Sequence, residues 1–562
     1  MLIFPTFRHA AGWPGAVLQT MKSMTKKIGL LPLILLGIFG LSCSPLVGAE
    51  TKPNILIVLV DDMGFSDLGC YGSEISTPNL DALAANGLRF TQFYNGARCS
   101  PTRASLLTGL YAHQTGLGQT ISRDNNVPGY RGYLNEECVT IADVLRGAGY
   151  FTAMAGKWHV GDHAGVFPWT RGFDRSLTIG GPVGFYYQAG PKSRLFLNGK
   201  PLANDDPLLP KGWYTTDLFT DFGLKWIHEA LDEKKPFFLY LAYNAPHFPI
   251  QAPAEDIARY RGKYIAGWDK LREQRHAKQI SLGIVDKAWP LSPRPDDIEA
   301  WDSLTAEEQD RFDHIMAIYA ACVDRMDHAV GRIVNDLRQR GVLDNTLIIF
   351  LSDNGAEPSS HSNKKQDPNG TLEGDSPGDA NSVVYQGASW ANLSNTPFRR
   401  YKRFGHEGGI ATPLIVHWPA GFSAKGELRQ QAGHLVDLMT TCVEVAGATY
   451  PGEFNGHPIL PMEGKSLVPA FTNQPLPRDG IFWEHEGNAA GRVGDWKLVR
   501  AGRDGPWELY DLKADRTELN DLSAKNPELA KELSQKWEEW ALRVHAKPYP
   551  NEGTKKKPRE EK

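Results

Sequence analysis

The stretch KPNILIVLVDDMGFSDLG, residues 52–69, contains the segment that decides the fold. Residues 55–60 form an unbroken apolar run rich in β-branched side chains, which is typical of a central parallel strand buried on both faces. Asp61 and Asp62 follow this run at once. Ligands bind beyond the carboxyl ends of the strands in open parallel sheets, so we expect these two carboxylates at a binding site.

A second apolar run, in NTLIIFLSDNG at residues 345–355, also ends in polar side chains, Asp353 and Asn354. A turn or a helix cap would explain either pair by itself. Two pairs that each follow a buried strand favour a metal site instead. Their three carboxylates and one amide are hard oxygen donors, which suit Ca²⁺ or Mg²⁺ better than Zn²⁺.

Predicted helices and strands alternate along most of the chain. This alternation predicts an α/β fold with a large, mostly parallel sheet flanked by helices. After about residue 475 the pattern changes to short strands and an amphipathic helix, which predicts a small C-terminal antiparallel α+β subdomain. The main predicted segments are a helix over 78–87, a strand over 90–94, a helix from Cys99 onward, the strands FTAMAGKWH and PFFLYLAYNAPH, and a long helix over 305–340 that begins with a Thr305–Glu308 capping box.

The domain organisation follows from these changes of pattern. We predict a signal region over 1–49, a main α/β domain over 50–474, an antiparallel subdomain over 475–546 and a disordered tail over 547–562. Within the main α/β domain, residues 356–381 are rich in Ser, Pro, Gly, Asp and Asn, which predicts a long surface loop.

The composition is that of an ordinary globular protein. The 562 residues are 41% hydrophobic and 22% charged, with a net charge of −4, so no basic bias indicates a nucleic-acid partner. Six cysteines in this length are too few for a disulfide scaffold, and their spacings match no zinc pattern, although one or two disulfides are compatible with them.

The N-terminal region has the layout of a secretory signal. Lys22, Lys26 and Lys27 precede an apolar run over 28–42 that is too short for a transmembrane helix. We therefore expect an exported protein, periplasmic or secreted, with no transmembrane span in its mature form.

Two processing sites fit this signal. Small residues permit cleavage after Ala49, whereas GLSC ending at Cys43 is similar to a bacterial lipoprotein site and would give a lipid anchor. The first twenty residues do not resemble the start of a signal, so translation from Met21 or Met24 is an alternative.

The segment CSPTR, residues 99–103, places a cysteine at the mouth of a predicted helix. Pro101 belongs in the first turn of a helix, and Arg103 lies one turn in on the same side as Cys99. A helix N-terminus carries partial positive charge and favours an anion. A free reactive thiol in an exported protein is open to oxidation, which weakens the interpretation of Cys99 as a plain thiol nucleophile.

Three further segments supply cations or proton carriers. Each has an ordinary explanation as a solvated or satisfied side chain. Collected at one sheet edge beside a divalent metal, however, lysines and histidines suit a tetrahedral oxyanion, because they stabilise negative charge and move protons. They are Lys157 and His159 in AGKWHVG, which share a face if extended, His247 in NAPHFP, and Arg400, Lys402 and Arg403 in RRYKRFGHEGG.

These residues resemble those of a known family. CSPTRASLLTG, residues 99–109, has the form of the type I sulfatase signature C-x-P-x-R followed by T-G, and GYFTAMAGKWHVG, residues 149–161, is similar to the second signature. The resemblance covers nearly the whole mature chain. The chain is identified as a member of the formylglycine-dependent sulfatases, most similar to bacterial arylsulfatases, which implies the alkaline phosphatase-like fold.

The resemblance implies a modified nucleophile. Cys99 would be oxidised by a formylglycine-generating maturation enzyme, the aldehyde would be hydrated to a geminal diol, and Arg103 would steady that diol. The implied ligands of a calcium ion, with Mg²⁺ as the alternative, are Asp61, Asp62, Asp353, Asn354 and the modified Cys99.

The resemblance also assigns the sulfate-binding and proton-transfer groups. Lys157, Lys402 and His247 would hold the sulfate, and Lys402 is chosen over its neighbours because it lies five residues before the EGG segment. One diol oxygen attacks sulfur with Asp353 as proton acceptor, and His247 or Lys402 assists the leaving group. His159 then takes the proton from the remaining hydroxyl, sulfate leaves and the aldehyde returns.

The implied function is hydrolysis of sulfate monoesters, either aryl sulfates or sulfated carbohydrates. The alternatives are a phosphonate or phosphate diester hydrolase of the same superfamily, a cysteine-thiolate phosphatase, and an exported binding protein without turnover. A thiolate phosphatase needs a longer anion-binding loop before its arginine, whereas Arg103 follows Cys99 by only four positions and Pro101 interrupts the segment. We expect substrate specificity to lie in 356–381, in 251–301 and in the C-terminal subdomain, and His485 to be structural.

Overall fold

The central strand of the main sheet is β1 (Asn54–Val60), and all seven of its residues are buried. The computed structural model describes residues 52–120, 123–180, 185–187, 195–360 and 369–550. Alternate side chains of β1 pack into two separate hydrophobic cores, with Leu56 and Val58 in one and Ile55 and Ile57 in the other. The run is apolar without interruption because both faces of the strand are covered.

The other elements follow in chain order. The strands are β2 (Leu88–Tyr94), β3 (Phe151–Lys157), β4 (Arg175–Ile179), β5 (Leu195–Leu197), β6 (Lys200–Leu202), β7 (Phe237–Ala242), β8 (Thr346–Ser352), β9 (Thr371–Glu373), β10 (Val383–Tyr385), β11 (Ala411–His417), β12 (Glu427–Arg429), β13 (Gly433–His434), β14 (Glu453–Phe454), β15 (His457–Pro458), β16 (Ile481–His485), β17 (Asn488–Val493), β18 (Trp496–Arg500) and β19 (Glu508–Asp511). The helices are α1 (Pro78–Ala85), α2 (Cys99–Thr108), α3 (Ile141–Gly147), α4 (Thr215–Asp232), α5 (Ala254–Ala258), α6 (Gly267–Ser281), α7 (Ala306–Gln339), α8 (Gly387–Ser394), α9 (Glu407–Ile410), α10 (Asp437–Ala446), α11 (Val468–Phe471) and α12 (Pro527–Arg543).

The main sheet is mostly parallel, as predicted. Its order is β12-β2-β11-β8-β1-β7-β3-β4-β5-β6, with β13 also paired to β2. Strand β1 runs parallel to both β7 and β8, and β3 runs parallel to β7 and β4. Strand β11 is antiparallel to β2 and β8, and β5 and β6 form an antiparallel edge. The carboxyl ends of β8, β1, β7 and β3 therefore meet at one edge of the sheet.

Helices cover both faces of this sheet. Buried residues of α1, α4 and α7 belong to one core, and those of α2, α3 and α10 belong to the other. The long helix α7 confirms the predicted capping box, because Thr305 Oγ1 accepts the Glu308 backbone N–H at 3.3 Å and the Glu308 carboxylate accepts the Thr305 N–H at 2.8 Å.

The C-terminal antiparallel subdomain is present as a sheet in the order β16-β17-β18-β19, covered by α12. The apolar stripe of α12 is buried against it through Leu533, Trp537 and Trp540. The amphipathic spacing predicted this helix because only one face of it meets the sheet.

A buried ion cluster ties this sheet to the catalytic domain. Glu407, the first residue of α9, accepts hydrogen bonds from Lys497 Nζ and Arg516 Nε, each at 2.8 Å. Burial would raise the pKa of Glu407, but the charges of Lys497 and Arg516 lower that pKa to about 2. The C-terminal sheet thus fixes the segment that carries Lys402, five residues before Glu407.

The predicted surface loop over 356–381 is wrong in part, because residues 374–376 and 381 are exposed whereas several others are buried. Glu357 is 5% exposed, and Asn369 is 4% exposed. Strand β9 also pairs with β10 in a short antiparallel ribbon, in which Val384 is buried. The Ser-, Pro- and Gly-rich composition predicted solvent exposure, but it does not report which polar residues find buried partners. Residues 361–368 lie outside the described residues.

The terminal predictions fall mostly outside the described residues. These include the signal region with Cys43 and Ala49 and the tail from 551 onward, whereas Tyr549, within the predicted tail, is 4% exposed. No helix in the described part of the chain is both long and apolar enough to cross a membrane. The sequence was compatible with one or two disulfides, but the described cysteines are all free: Cys70, Cys99, Cys138, Cys322 and Cys442.

His434 in β13 makes folding stability depend on pH. Its ring is 2% exposed, between Tyr111 and Trp483, and burial together with the charge of Arg478 lowers the pKa of His434 to about 3. In the unfolded chain this histidine binds a proton near pH 6.5. The contribution of the buried neutral ring to the free energy of unfolding is therefore complete above pH 6.5 and is lost as the pH falls toward 3.

We expect His434→Phe to lose less stability than the wild type when the pH is lowered. The His434 contribution amounts to about 1.4 kcal/mol per pH unit below 6.5. Thermal unfolding of the wild type, His434→Phe and the control His457→Phe should be compared at pH 7 and pH 4.5, because the His457 side chain is 45% exposed. An equal fall of Tm in all three proteins would contradict the assignment.

Candidate active site

The two predicted ligand pairs, Asp61–Asp62 and Asp353–Asn354, lie side by side at the carboxyl ends of neighbouring strands. Val60, the last residue of β1, is in register with Ser352, the last residue of β8. Asp61 and Asp62 therefore stand next to Asp353 and Asn354. All four residues are at most 2% exposed.

The first half of the site is a buried cluster of acids and cations around Asp61. Lys157 Nζ, at the end of β3, donates to Asp61 Oδ2 at 2.6 Å. Arg103 Nη2 donates to Asp353 Oδ2 at 2.9 Å and lies 3.3 Å from Asp61 Oδ2. The Arg103 guanidinium also donates to the Lys157 carbonyl oxygen at 2.8 Å. Helix α2 and the ends of the three strands β1, β3 and β8 are joined through this one arginine.

The second half is organised by Asp62. Its Oδ1 accepts hydrogen bonds from Lys402 Nζ at 2.5 Å and from Asn354 Nδ2 at 2.7 Å, while His247 Nε2 lies 3.6 Å from its Oδ2. Asp62 has a φ of 70°, in the left-handed region that non-glycine residues seldom adopt. Strain of this kind is concentrated at functional sites, where surrounding contacts hold it.

The oxygen atoms of this site fit a divalent cation. Asp61 Oδ1, Asp62 Oδ2 and Asn354 Oδ1 are buried without a hydrogen-bond partner. Ligand atoms of Asp61, Asp62 and His247 lie within 4.8 Å of one another. Burial and the charge of Asp61 also raise the pKa of Asp353 well above its usual value, although the charge of Arg103 opposes this shift. Hard, unpaired oxygens of this kind suit Ca²⁺ or Mg²⁺.

Cys99 lies beside this cluster at the start of α2. It is 3% exposed, and although burial raises the pKa of its thiol, the charges of Lys157 and Lys402 lower it below the ordinary value. Thr102 holds the helix in place, because its hydroxyl donates to the Asp353 carbonyl oxygen at 2.5 Å and accepts the Gly96 N–H at 2.8 Å. The helix begins at Cys99, as predicted.

The two predicted histidines occupy different environments. His247 Nδ1–H donates to the Phe248 carbonyl oxygen at 2.6 Å, which leaves Nε2 facing Asp62. His159 does not continue strand β3, since the strand ends at Lys157 and His159 has a φ of 59°. The argument that His159 and Lys157 share a face of an extended strand is therefore wrong. Burial and the charge of Lys157 lower the pKa of His159, which places the two groups within electrostatic reach.

Of the four basic residues in RRYKR, residues 399–403, Lys402 is the one that contacts the acidic cluster. Lys402 is 1% exposed and bridges Asp62 and Glu357, with 3.0 Å between its Nζ and Glu357 Oε2. Arg400 is exposed, and its guanidinium lies 5.0 Å from the centre of the Phe404 ring. Glu357 was not predicted from the sequence, although it lies only three residues after Asn354 in the same segment.

An aromatic stack, also missed from the sequence, extends from the site. The His247 and Phe248 rings stack at 4.2 Å between centroids, and the Phe248 and Tyr385 rings stack at 4.5 Å.

His485, which was predicted to be structural, is 2% exposed and donates through Nδ1 to the Gly118 carbonyl oxygen at 3.2 Å. Burial lowers the pKa of His485, and the nearby charge of Glu486 opposes that shift.

The chain matches known proteins over most of its length. The sequence model of the sulfatase family matches residues 53–448, and that of the N-sulphoglucosamine sulphohydrolase C-terminal region matches residues 399–543. The chain is 36% identical to an uncharacterized sulfatase of Schizosaccharomyces pombe, over 86% of this chain and 93% of that protein. It is 34% identical to an arylsulfatase of Klebsiella aerogenes, over 74% of this chain and 92% of that protein.

Solved structures agree with these matches. The crystal structure of Ps i-CgsB in complex with k-i-k-neocarrahexaose has a TM-score of 0.65 and 26% identity, covering 89% of this chain and 98% of that chain. A phosphonate monoester hydrolase of Agrobacterium radiobacter has a TM-score of 0.55 and 20% identity, covering 88% of this chain and 96% of that chain, which shows a common fold alone. The phosphonate hydrolase alternative is therefore the weaker one, and the chain belongs to the sulfatase family of sulfuric ester hydrolases.

Proposed function

We propose that this sulfatase hydrolyses sulfate monoesters of ring-bearing alcohols or phenols through a formylglycine made from Cys99. The observation that carries the proposal is the position of Cys99, which is buried at the mouth of α2 within the electrostatic reach of Lys157 and Lys402. A sulfate ester is an anion, and a buried pair of ammonium groups beside a helix N-terminus suits an anion.

Two groups absent from the polypeptide as translated complete the site. A Ca²⁺ or Mg²⁺ ion held by Asp61, Asp62, Asp353, Asn354 and modified Cys99 would supply Lewis-acid stabilisation of negative oxygen. The hydrated formylglycine would supply a hydroxyl nucleophile and, through its second hydroxyl, a way to release sulfate. A formylglycine-generating maturation enzyme, acting on the CSPTR segment, would supply the oxidation.

The lysines would bind and polarise the sulfate. An ammonium group has three donors. Lys157 uses one on Asp61, and Lys402 uses two on Asp62 and Glu357, so both retain N–H groups for sulfate oxygens. Because both lysines are buried, these bonds form in a medium where electrostatic interactions are stronger than in water.

The histidines would move protons at the two ends of the reacting bond. The Nδ1–H bond of His247 to the Phe248 carbonyl fixes the ring and leaves Nε2 to exchange a proton with the leaving oxygen. His159 Nδ1 is buried without a partner, so it can accept the proton of the remaining hydroxyl when sulfate departs. The Arg103 guanidinium would orient Asp353 and Asp61 toward the nucleophile.

The organic part of the substrate is expected to contain a flat or apolar ring face. The stacked rings of Phe248 and Tyr385 next to His247 offer such a face to an aryl group or to the C–H face of a sugar. The similarity to the Klebsiella aerogenes arylsulfatase supports the same class. The signal-like N-terminus supports a periplasmic or secreted location.

The proposal is tested with 4-nitrophenyl sulfate and bis(4-nitrophenyl) phosphate as competing substrate classes. We expect release of nitrophenol and inorganic sulfate from the first at a kcat/KM at least about a hundredfold above that for the second, since cationic groups placed for one oxyanion discriminate through the transition state. A preference for the phosphodiester would make the protein a diesterase, and no turnover of either would leave a binding protein.

Lys402→Met should lower kcat/KM for the aryl sulfate by about 10²- to 10³-fold, because a buried cationic donor to the transition-state oxyanion is lost. Arg400→Met is the matched control, since it removes a cation two residues away that is exposed. Steady-state kinetics with Tm for both variants separates this loss from unfolding. Equal activity of the two variants would show that Lys402 does not contact the sulfate.

A further inference from the structure

Two arginines, Arg98 and Arg403, lie beside Cys99 on neighbouring chain segments. Arg98 directly precedes Cys99, and the Arg403 backbone N–H donates to the Ala97 carbonyl oxygen at 2.8 Å. Ala97 has a φ of 62° and Arg403 a φ of 83°, both in the left-handed region. Such conformations are strained for residues other than glycine, so surrounding contacts must hold both segments in place.

The guanidinium groups of these arginines have donors without acceptors. Arg98 Nε and Nη1 and Arg403 Nε are buried and make no hydrogen bond. Neither side chain forms an ion pair with a described residue, whereas Arg103 pairs with Asp353 and Asp61. A single unpaired Nε also occurs on arginines away from the site, such as Arg89 and Arg272, but Arg98 has two unpaired donors. Because buried N–H groups are nearly always satisfied in folded proteins, two unpaired donors next to Cys99 indicate a ligand acceptor there.

The nearby carboxylates are engaged elsewhere. Glu357 accepts hydrogen bonds from Ser359 and lies 3.0 Å from Lys402 Nζ. The Glu486 side chain is 43% exposed and lies 3.7 Å from His485 Nε2. The charge of Arg98 nevertheless helps to lower the pKa of both carboxyls. Its effect on Glu357 is smaller than that of Lys402, and its effect on Glu486 is smaller than that of His485. The two arginines are thus within electrostatic reach of the site without being neutralised in contact.

We propose that Arg98 and Arg403 form a subsite for a second anionic group, a sulfate or a carboxylate, on the organic part of the sulfate ester. This inference rests on the proposed function, because it takes the first sulfate to lie at Cys99. Guanidinium groups match sulfate and carboxylate oxygens in geometry and charge. The substrate class is therefore a saccharide or aryl group that carries one anionic substituent near the ester to be cleaved.

The test is equilibrium binding of sulfonates, which resemble sulfate esters but have no cleavable C–O–S linkage. Calorimetry on the calcium-loaded protein compares benzenesulfonate with the 1,2-, 1,3- and 1,4-benzenedisulfonates. The matching sulfobenzoates show whether sulfonate or carboxylate is preferred. The wild type should bind at least one doubly charged probe about tenfold or more tightly than benzenesulfonate, the effect expected of one hydrogen bond to a charged group.

Three variants test whether Arg98 and Arg403 cause the preference for doubly charged probes. Arg98→Gln and Arg403→Gln should each reduce the preference for the doubly charged probe, measured as the ratio of its affinity to that of benzenesulfonate, by about tenfold. The control Arg400→Gln removes the same charge from an exposed side chain of the same segment and should keep the ratio. A wild type without preference for any doubly charged probe, or an equal loss in Arg400→Gln, would overturn the subsite.

Failure of the subsite and failure of the proposed function are distinguishable. Binding requires no turnover, so a doubly charged preference that depends on Arg98, without hydrolysis of 4-nitrophenyl sulfate, overturns only the function. Hydrolysis together with a preference that is unchanged in Arg98→Gln and Arg403→Gln overturns only the subsite. Tm measured for every variant identifies any loss of binding caused by unfolding.

Discussion

Cys99→Ala should reduce hydrolysis of an aryl sulfate by about 10⁴-fold or more, the scale on which removal of a covalent nucleophile acts. Cys99 is the one residue of the site that would supply the atom attacking sulfur. Lys157, Lys402 and His247 would still bind the sulfate in the variant, so KM should change far less than kcat. Steady-state kinetics on the purified variant measures both parameters.

The control for this prediction is Cys70→Ala, since Cys70 is also a free cysteine, partly exposed and on another segment. It should retain activity. Peptide mass spectrometry of the active wild type should show the Cys99 peptide about 18 Da lighter than the encoded cysteine, the change from a thiol-bearing CH₂SH to an aldehyde CHO. An unmodified Cys99 in fully active protein would exclude the formylglycine mechanism and favour a thiolate nucleophile.

Removal of divalent cations by a chelator should lower the rate of aryl sulfate hydrolysis by about 10²-fold or more, and added Ca²⁺ should restore it. The reason is the set of buried, unpaired oxygens of Asp61, Asp62 and Asn354. The same ion should stabilise the fold, since a ligand present at a hundred times its Kd contributes about 2.7 kcal/mol to the free energy of unfolding. Tm with and without Ca²⁺ measures this effect independently of activity.

Asp62→Asn is the matching variant, because it removes the charge of one candidate ligand and keeps its size. The Ca²⁺ concentration that gives half of the maximal rise in Tm should increase by about tenfold or more. Asp310→Asn serves as the control, since the Asp310 side chain is 68% exposed. Parallel titrations with Mg²⁺ determine which ion the site prefers. A Tm and an activity that do not respond to either ion would contradict the metal site.

The sequence by itself determined the sheet and the acidic half of the site. The unbroken apolar run before Asp61 has the local signature of a strand covered on both faces, and the run before Asp353 repeats it. Parallel neighbours bring their carboxyl ends to one edge, so a pattern that is local in sequence was enough to bring the two acidic pairs together. The capping box of α7 was predictable for the same reason.

The sequence did not determine which charges face one another. Arg400, Lys402 and Arg403 form one basic stretch, and no local pattern separates them. The packing of that segment buries Lys402 between Asp62 and Glu357, exposes Arg400 and sets Arg403 against Ala97.

Only the tertiary structure decided the partners of each buried charge. Glu407 of this basic region meets Lys497 and Arg516 of the C-terminal subdomain, about a hundred residues away in the chain. The antiparallel placement of β11 is likewise set by its pairing with β8, a strand about sixty residues earlier in the chain. A strand or a helix cap depends on neighbours within a few residues, whereas the environment of a buried ion depends on every segment that excludes water from it.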